Sequence, residues 1–476
     1  MRIKQEISIE EVVQWTGATI IGPGSHRNIE SISTDSRTLE KGDFFIPLKG
    51  DNFDGHDYVE AALRCGASGF VYEKDRRDKM AAVLKGLYEI KDGPAVFEAA
   101  DSRVFLMDLA AGYLRRFKVV TIGITGSLGK TTVKNLISSV MSRAYNIVSA
   151  PGNYNTDIGV SKTILEVSRD TDYLLVELGM RGAGQIGPLA EASNVKIGAI
   201  TSVSGSHMEF FDSLEELAAA KAEIGVAVER NRGKLFLNAD DAMTPFIKTV
   251  TGADIIEFGR NKETDYCFTD KGIDRLGRYS FVFCRKNKRI VRIRCRQPGY
   301  HNLYNNCLAA AVCHYNGAGP DMIKEGLENA EMEGHRMRTL QNRGIMVLDD
   351  CYNASPVSMK AALDTLSVMS GNNKRRSVAI LGDMLELGSC SEQLHYQTGN
   401  YSAKKDIDVL IASGKLAKNI YRGFLEVTGS RKRCFYFNEK KALLKKLHNI
   451  IMPGDIILVK GSRANKMEDI VVFLTE

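Results

Sequence analysis

The sequence predicts an α/β protein with three domains. From residue 119 onward, strand-like apolar runs alternate with helical segments, which is typical of doubly wound sheets of parallel strands. The chain has 476 residues, enough for about three domains of roughly 150 residues each. We therefore expect a small α/β domain over 1–101, a central, mostly parallel doubly wound sheet with an added antiparallel segment over 102–318, and a C-terminal Rossmann-like α/β domain over 319–476.

The first unit mixes short strands with helices. Residues 44–48, Phe-Phe-Ile-Pro-Leu, form an apolar run that predicts a strand. Residues 58–65 have helical periodicity and end at Gly66, a residue that favours the end of a helix. A further helix is predicted over 106–117, where the first unit leads into the second.

The central unit begins with a strand at 119–124 and a helix at 131–143. The runs 173–176 and 197–201 are apolar throughout, as expected for parallel strands that are buried on both faces. Residues 290–295 instead alternate apolar and charged side chains, which predicts the antiparallel segment.

The third unit again alternates strands and helices. Its predicted strands are 345–348, 377–381, 409–412 and 456–459. The Gly-Ala-Gly-Pro segment at 317–320 favours a boundary between the second and third units.

Composition narrows the class of protein. With 44% hydrophobic and 26% charged residues, the chain has the balance of a soluble globular protein. Its start lacks an apolar core followed by a small-residue cleavage site, and no apolar run reaches the roughly 20 residues needed to cross a bilayer. Nine cysteines without a CxxC pair indicate reduced thiols. We expect a cytoplasmic protein without membrane insertion, and the net charge of +6 is too small to indicate nucleic-acid binding.

A phosphate-binding loop follows the first central strand. Residues 125–132, Thr-Gly-Ser-Leu-Gly-Lys-Thr-Thr, open a helix, where backbone amides point at an anion. In such loops the lysine neutralises the β- and γ-phosphates and the following hydroxyl binds Mg²⁺. The general pattern requires glycine at position 124, where this chain has isoleucine. The predicted nucleotide-binding residues here are Gly126, Ser127, Leu128, Gly129, Lys130, Thr131 and Thr132.

A carboxylate follows the next apolar run. Glu177 ends a strand in the same predicted sheet, at the edge where such sheets present ligands to a metal. Thr131 and Glu177 supply the hard oxygen ligands that Mg²⁺ prefers. His207 and Lys221 follow later in the unit, and their spacing alone indicates nothing catalytic.

These residues resemble the Mur ligase family, which adds amino acids to the UDP-linked precursor of peptidoglycan. The loop with its shifted glycine, the segment 151–159 (Pro-Gly-Asn-Tyr-Asn-Thr-Asp-Ile-Gly), Glu177-Leu-Gly-Met and His207-Met-Glu are similar to family motifs, and the resemblance covers the whole chain. It implies that Glu177 and His207 hold magnesium. It also implies that Lys221, in an Ala-Lys-Ala-Glu-Ile stretch, carries a carbamate that acts as a further metal ligand.

Motifs in the later part of the chain are similar to the nucleotide contacts of the family. They imply that Asn305, in His-Asn-Leu-Tyr-Asn, contacts adenine and that Arg336 and Asp350 contact the nucleotide. The segments 381–388 and 460–463, Leu-Gly-Asp-Met-Leu-Glu-Leu-Gly and Lys-Gly-Ser-Arg, are most like those of the member that adds D-alanyl-D-alanine. The substrate-binding residues implied by the resemblance are Ser36, Arg37, Lys49, Asp54, His56, Asn153, Asn155, Tyr352 and Asn353.

The resemblance implies a reaction and its partners. ATP would phosphorylate the carboxylate of UDP-N-acetylmuramoyl-tripeptide, and D-alanyl-D-alanine would attack the acyl phosphate, with Lys130, His207 and Lys221 as the catalytic residues and two Mg²⁺ ions as cofactors. A monomer is expected. Two alternatives remain at this point: a sister ligase that adds the third amino acid, and a non-catalytic nucleotide-binding protein with the same fold.

Overall fold

The computed structural model describes residues 1–23, 28–50, 53–88, 93–152, 154–205, 208–332, 334–429 and 432–476, and it contains three sheets. The predicted fold class is confirmed: strands and helices alternate, and most strands of each sheet are parallel.

The first sheet has six strands in the order β1-β3-β4-β5-β6-β2. Its inner pairs, β3–β4, β4–β5 and β5–β6, are parallel, and β1 and β2 pair antiparallel at the two edges. The elements are β1 (Arg2–Ser8), α1 (Ile9–Thr16), β2 (Thr19–Pro23), β3 (Asn28–Ser33), β4 (Phe44–Phe45), the 3-10 turn Gly55–Tyr58, α2 (Val59–Arg64), β5 (Gly69–Glu73), the 3-10 turn Lys74–Arg76, α3 (Arg77–Tyr88) and β6 (Ala95–Ala99).

The second sheet has nine strands in the order β15-β14-β13-β12-β11-β10-β7-β9-β8. Strands β7 to β13 are parallel, and β14 and β15 add the predicted antiparallel segment. The elements are α4 (Ser102–Leu114), β7 (Val120–Thr125), α5 (Lys130–Met141), β8 (Ile147–Ser149), α6 (Asp157–Ile164), β9 (Tyr173–Glu177), α7 (Ile186–Ala192), β10 (Val195–Ile200), the 3-10 turn Met208–Phe210, α8 (Leu214–Ala222), α9 (Ile224–Arg230), β11 (Lys234–Asn238), α10 (Thr244–Val250), β12 (Ile255–Gly259), β13 (Tyr266–Ile273), β14 (Arg278–Arg285), β15 (Lys288–Pro298), α11 (His301–Tyr315) and α12 (Pro320–Glu328).

The third sheet has six strands in the order β16-β17-β21-β18-β19-β20, all parallel except β16. The elements are β16 (Arg338–Asn342), β17 (Ile345–Asp350), α13 (Pro356–Asn373), β18 (Ser377–Gly382), the 3-10 turn Gly388–Cys390, α14 (Ser391–Lys404), β19 (Val409–Ser413), α15 (Lys418–Thr428), β20 (Arg433–Phe437), α16 (Lys440–Leu447), β21 (Ile456–Lys460), the 3-10 turn Arg463–Asn465 and α17 (Glu468–Thr475).

Helix α12 belongs to the second sheet by its packing. Ile323 and Leu327 are buried in the same core as the phosphate-loop helix α5, and the Ser139 hydroxyl on α5 donates to the Gly326 carbonyl (2.8 Å). The boundary predicted at 318/319 therefore lies inside the central core. Packing moves the transition to the stretch between Ala330 and β16.

Two elements differ in length from their predictions. Helix α4 begins at Ser102, four residues before the predicted start at 106, because the Asp101 carboxylate caps it by accepting the amides of Arg103 and Val104 (2.7 and 2.9 Å). Strand β4 ends at Phe45, two residues before Pro47, which has no amide hydrogen for a sheet ladder.

The first and second sheets share one hydrophobic core. Tyr113 on α4 is buried between them, and its hydroxyl accepts the Gln5 amide (3.1 Å) and donates to the Val167 carbonyl (2.7 Å). Within the described residues, no helix combines the length and the apolar character needed to span a bilayer. All nine cysteines are free thiols, and six of them are buried.

Candidate active site

Sheet order places the phosphate loop next to Glu177. Strand β7 lies between β9 and β10, with Ile124 level with Glu177 and Thr125 level with Ile200. The loop that follows Thr125 therefore leaves the sheet directly beside the Glu177 carboxylate. This is the carboxyl edge of the parallel strands, where ligands of doubly wound sheets bind.

Two glycines are required by the shape of the loop. Gly126 has φ 138°, and a β-carbon there would overlap the Thr201 hydroxyl and lie 3.0 Å from the Thr201 amide nitrogen. Gly129 has φ 86°, and a β-carbon there would overlap the amide oxygen of Asn305. Both positions combine a left-handed backbone with a close neighbour, so the loop excludes any side chain at either of them.

The loop is held by the segment after β10. The Ser127 amide donates to the Ser202 carbonyl (2.8 Å), and the Ser127 hydroxyl donates to the Ser204 carbonyl (2.9 Å). The Thr201 hydroxyl donates to the Leu128 carbonyl. These bonds hold the loop at the start of α5, where Ser127, Leu128 and Gly129 line a cavity.

Lys130 is the first residue of α5, and its ammonium donates to the Gly126 carbonyl (2.7 Å). Burial lowers the pKa of Lys130, the Glu177 carboxylate opposes that shift, and the Arg336 guanidinium adds to it. Two cations thus face one cavity across the gap between the second and third sheets, which is an environment that favours a polyanionic ligand.

Thr131 and Glu177 form the candidate metal site. The Thr131 hydroxyl donates to Oε2 of Glu177 (3.1 Å), and both side chains are buried. Oε1 of Glu177 is buried, accepts no hydrogen bond from the described residues, and lies 3.5 Å from the Lys134 ammonium. A hydroxyl and a carboxylate beside a phosphate loop match the oxygen donors that Mg²⁺ requires, so these residues fit the ion.

Lys221 lies near the end of α8 and is only 1% exposed. Burial, and secondarily the charge of Lys130, lowers its pKa well below the ordinary value. The described residues make no hydrogen bond to its ammonium nitrogen. A buried lysine held toward the neutral amine is the form that reacts with CO₂, so the surroundings of Lys221 fit the expected carbamate.

Two predicted residues, His207 and Asn153, lie outside the described residues. Their roles stay predictions. In the described part of the chain, no three His, Cys, Asp or Glu side chains are grouped as metal ligands. The expected metal-binding roles of His207 and of a modified Lys221 therefore stay predictions.

The third sheet contributes a second group of side chains. The Arg336 guanidinium stacks on the Tyr352 ring, 3.8 Å from its centroid. Asp350 ends β17, accepts the Met337 amide (3.2 Å) through Oδ1 and pairs with the Lys460 ammonium through Oδ2. Lys460 also donates to the Asn353 carbonyl (2.9 Å). This network fixes the segment after β17 at the cavity wall.

One cavity of ≈ 470 Å³ brings most of the predicted residues together. It lies between the second and third sheets. The predicted residues that line it are Ser127, Leu128, Gly129, Lys130, Thr131, Thr132, Asn155, Glu177, Asn305, Arg336, Asp350, Tyr352 and Asn353. Gly126 and Lys221 do not line the cavity. Gly126 shapes the loop, and the charge of Lys130 contributes to the lowered pKa of Lys221.

The predicted residues of the first domain lie apart from this cavity. Lys49 lines a second cavity of ≈ 370 Å³, together with Arg103. The exposed Arg37 forms a bidentate pair with Asp35 (2.9 and 2.6 Å), and Ser36 is partly exposed between them. The hydrogen bonds from Arg37 lower the pKa of Asp35 to about 2.

Asp54 and His56 support the turn before α2. The His56 ring is buried, its Nδ1 is 2.7 Å from Asp54 Oδ1, and its Nε2 accepts the Glu73 amide (3.3 Å). Asp54 also pairs with Arg76 (3.0 Å). Both ring nitrogens of His56 are used inside the domain, so the structure places it as a support of the turn, and a direct substrate contact stays a prediction.

Two buried lysines, one lining the cavity and one beside Glu177, were not predicted from the sequence. Lys460 is 2% exposed and pairs with Asp350, and Lys134 is 1% exposed and lies behind Glu177. Lys460 stands in the Lys-Gly-Ser-Arg segment, which offered a signal. Lys134 is one helical turn after Lys130, and that spacing was the one clue that it shares a helix face with the phosphate lysine.

Comparison with protein families gives three matches along the chain. Residues 28–110 match the Mur ligase family catalytic domain, 124–313 match the Mur ligase middle domain, and 335–463 match the Mur ligase glutamate ligase domain. The second match ends before α12 and the third begins after it.

Comparison with individual proteins extends the similarity over the whole length. The UDP-N-acetylmuramoyl-tripeptide--D-alanyl-D-alanine ligase of Bacillus subtilis is 31% identical over 98% of both chains. The crystal structure of MurF from Acinetobacter baumannii has a TM-score of 0.86 at 26% identity and covers 100% of this chain and 99% of its own. MurF from Thermotoga maritima, solved in complex with ADP, has a TM-score of 0.78 at 23% identity and covers 93% of this chain and 96% of its own, which shows the shared fold.

Proposed function

The chain belongs to the Mur ligase family, and we propose that it joins D-alanyl-D-alanine to UDP-N-acetylmuramoyl-tripeptide in an ATP-dependent reaction. The products are the UDP-linked pentapeptide, ADP and phosphate. The relative that covers 98% of the chain carries this activity in its name, so the sister ligase for the third amino acid is not favoured.

One observation carries the proposal. A single cavity is lined by the phosphate loop of the second sheet and by Arg336 and Asp350 of the third. A nucleotide that is bound across this gap joins the two sheets. The same closure excludes water from an acyl phosphate, which hydrolysis would destroy.

The first step is phosphoryl transfer. The substrate carboxylate attacks the γ-phosphorus of ATP, the bond to the β-phosphate oxygen breaks, and ADP leaves. Lys130 and the loop amides stabilise negative charge on the phosphoryl oxygens, and Arg336 adds a second cation from the opposite wall. We assign Asn305 to the adenine and Asp350 to the nucleotide.

Thr131 and Glu177 are proposed to hold Mg²⁺, with His207 and a carbamate on Lys221 as further ligands. When bound, the ion neutralises phosphate charge and orients the transferred group. The burial of Lys221 supports the carbamate, because a neutral amine adds to CO₂ and loses a proton to give an anionic oxygen ligand. Two ions are expected from the number of proposed ligands.

The second step forms the amide bond. The amine of D-alanyl-D-alanine attacks the acyl carbon, the bond from that carbon to the phosphate oxygen breaks, and a proton leaves the nitrogen. Asn155, Tyr352 and Asn353 line the cavity where the two peptides meet. We propose that the first domain, through Ser36, Arg37, Lys49, Asp54 and His56, binds or supports the site of the UDP group.

Location and assembly are proposed from the same chain. The nine free cysteines support a reducing compartment such as the cytoplasm. We also propose that the enzyme is a monomer.

The test measures phosphate release and product mass. Purified protein is given ATP and Mg²⁺ with UDP-N-acetylmuramoyl-tripeptide and D-alanyl-D-alanine, singly and together. We expect phosphate and pentapeptide only with both substrates. No ATP consumption with both substrates would overturn the proposal, and product formation from UDP-dipeptide with a free diamino acid would favour the sister activity instead.

A further inference from the structure

Lys134 is a buried cation that the mechanism above does not use. It lies on α5, one turn after Lys130, and is 1% exposed. Lysines are almost never fully buried unless they are paired, because an isolated charge in the interior is very unfavourable. Its partners therefore indicate why the chain has a lysine at this position.

The ammonium of Lys134 contacts three acceptors. It donates to the Ala150 carbonyl and to the Gly152 carbonyl (3.2 Å), and it lies 3.5 Å from Oε1 of Glu177. One side chain thus joins the phosphate-loop helix, the carboxyl edge of β9 and the segment at 150–152.

The segment at 150–152 leads into the predicted substrate residues. Asn155 follows it, lines the cavity, and accepts the Gly179 amide through its carbonyl (2.9 Å). Gly179 itself lies two residues after Glu177. Lys134 therefore holds residues 150–152, and Asn155, a few residues later, contacts the chain just after β9.

The two oxygens of Glu177 face different partners. Oε2 accepts the Thr131 hydroxyl (3.1 Å), whereas Oε1 lies near the Lys134 ammonium (3.5 Å). We propose that Lys134 is a positioning residue that holds Oε1, so that Glu177 binds the metal through one oxygen, and that it anchors the segment carrying Asn155. This inference rests on the proposed function, since it deepens the same metal site.

One-oxygen binding has a consequence for metal choice. Mg²⁺ requires near-ideal octahedral geometry with short bonds, whereas Ca²⁺ accepts more ligands and commonly binds both oxygens of a carboxylate. A neighbouring ammonium also reduces the negative charge of the site. Lys134 therefore favours Mg²⁺ over Ca²⁺.

The test compares Lys134→Met, which keeps the length and removes the charge, with Lys196→Met, which removes an exposed cation from the same sheet. Mn²⁺ bound to the full chain with ADP is followed by electron paramagnetic resonance, with Mg²⁺ and Ca²⁺ as competitors. We expect the ratio of Mg²⁺ to Ca²⁺ affinity to fall by about tenfold or more in Lys134→Met. Lys196→Met should keep the wild-type ratio.

A folded Lys134→Met protein with the wild-type ratio would overturn the inference. If that variant does not fold, Lys134→Gln, which retains a donor for the carbonyls, is measured in the same way. A crystal structure of the wild-type protein with ADP and Mn²⁺ tests the inference without any variant. Coordination of the metal by both Glu177 oxygens would contradict it. An inactive wild-type protein would instead count against the proposed function.

Discussion

Gly129 and Asn305 lie in direct contact, although they belong to the phosphate loop and to helix α11. A β-carbon on Gly129 would overlap the Asn305 amide oxygen and lie 3.1 Å from its Cγ. Asn305 is held in turn by donating to Asn302 Oδ1 (3.0 Å). The loop proposed to bind phosphate and the side chain proposed to bind adenine are therefore set at a fixed distance from each other.

Gly129→Ala is expected to weaken ADP binding by tenfold or more, because a left-handed backbone costs about 1–2 kcal/mol for alanine and the new methyl displaces Asn305. Isothermal titration calorimetry measures the change. Gly86→Ala is the control, since Gly86 lies on α3 with open space around it and should bind ADP normally. Wild-type ADP affinity in Gly129→Ala would contradict the loop geometry.

Lys130→Ala is expected to lower kcat/KM of the ligase reaction by about 10²–10³-fold, since one preorganised charge on the transferred phosphoryl group is lost. Its hydrogen bond to Gly126 is local, so the free energy of unfolding should change by only about 1 kcal/mol. Coupled phosphate release and urea denaturation measure the two effects. A folded variant with near-normal turnover would remove Lys130 from the mechanism.

Lys221 is expected to carry a carbamate in the active enzyme. Incubation with ¹³C-labelled bicarbonate should give a carbamate carbon signal in the NMR spectrum of the wild-type protein, and Lys221→Ala should lack it. Short carboxylates such as formate should restore part of the activity of Lys221→Ala, because they replace the anionic oxygen. An unmodified amine in fully active protein would refute the carbamate.

Arg336→Lys is expected to raise KM for ATP, because lysine keeps the charge but loses the flat stacking on Tyr352. Cation–π stacking contributes about 0.5–2 kcal/mol, so a rise of a few-fold to about thirtyfold is expected. Tyr352→Phe preserves the ring and should remain near wild type in KM for ATP. If Arg336→Lys and Tyr352→Phe changed KM for ATP equally, stacking of Arg336 on the Tyr352 ring would not explain the effect.

Asp54→Asn is expected to destabilise the first domain at neutral pH. Burial raises the pKa of Asp54, but hydrogen bonds from His56 and the charge of Arg76 outweigh it and lower the pKa to about 2. Because the pKa is lower in the folded state, ionised Asp54 stabilises the protein fully at pH values above its unfolded-state pKa of 3.8. This stabilisation is lost as the pH falls through the folded-state pKa of about 2. The contribution at pH 7 is about 2 kcal/mol.

Urea denaturation between pH 7 and pH 3 measures this dependence. The difference in unfolding free energy between wild type and Asp54→Asn should be constant near neutral pH and shrink below about pH 4. Asp170→Asn, which alters an exposed carboxylate, is the control and should show no such trend. A difference that is independent of pH would exclude the ionised Asp54 as its source.

The phosphate loop and Glu177 were predictable because local patterns carry them. Strands β7 and β9 are apolar runs of strand length, and parallel strands that are buried on both faces have that composition. The loop residues then stand between a strand and a helix, which is the one context where a glycine-lysine turn presents its amides to phosphate.

The helix α12 boundary was not predictable from local signals. Glycine and proline at 317–320 are equally compatible with the start of a helix and with a domain boundary. In the structure, Pro320 begins α12. Which sheet an amphipathic helix covers depends on the surface that is free to receive it. In this chain that surface is formed by α5 and β15.

The amino-acid sequence by itself determined the α/β class, most strands, the phosphate loop and the family whose motifs the chain shares, because each of these depends on neighbours within a few residues. Tertiary structure decided that Arg336 stacks on Tyr352 at the cavity wall, that His56 is buried and that Lys134 lies against Glu177. These contacts join segments that are distant along the chain. Only the packing of sheets and helices brings such segments within bonding distance.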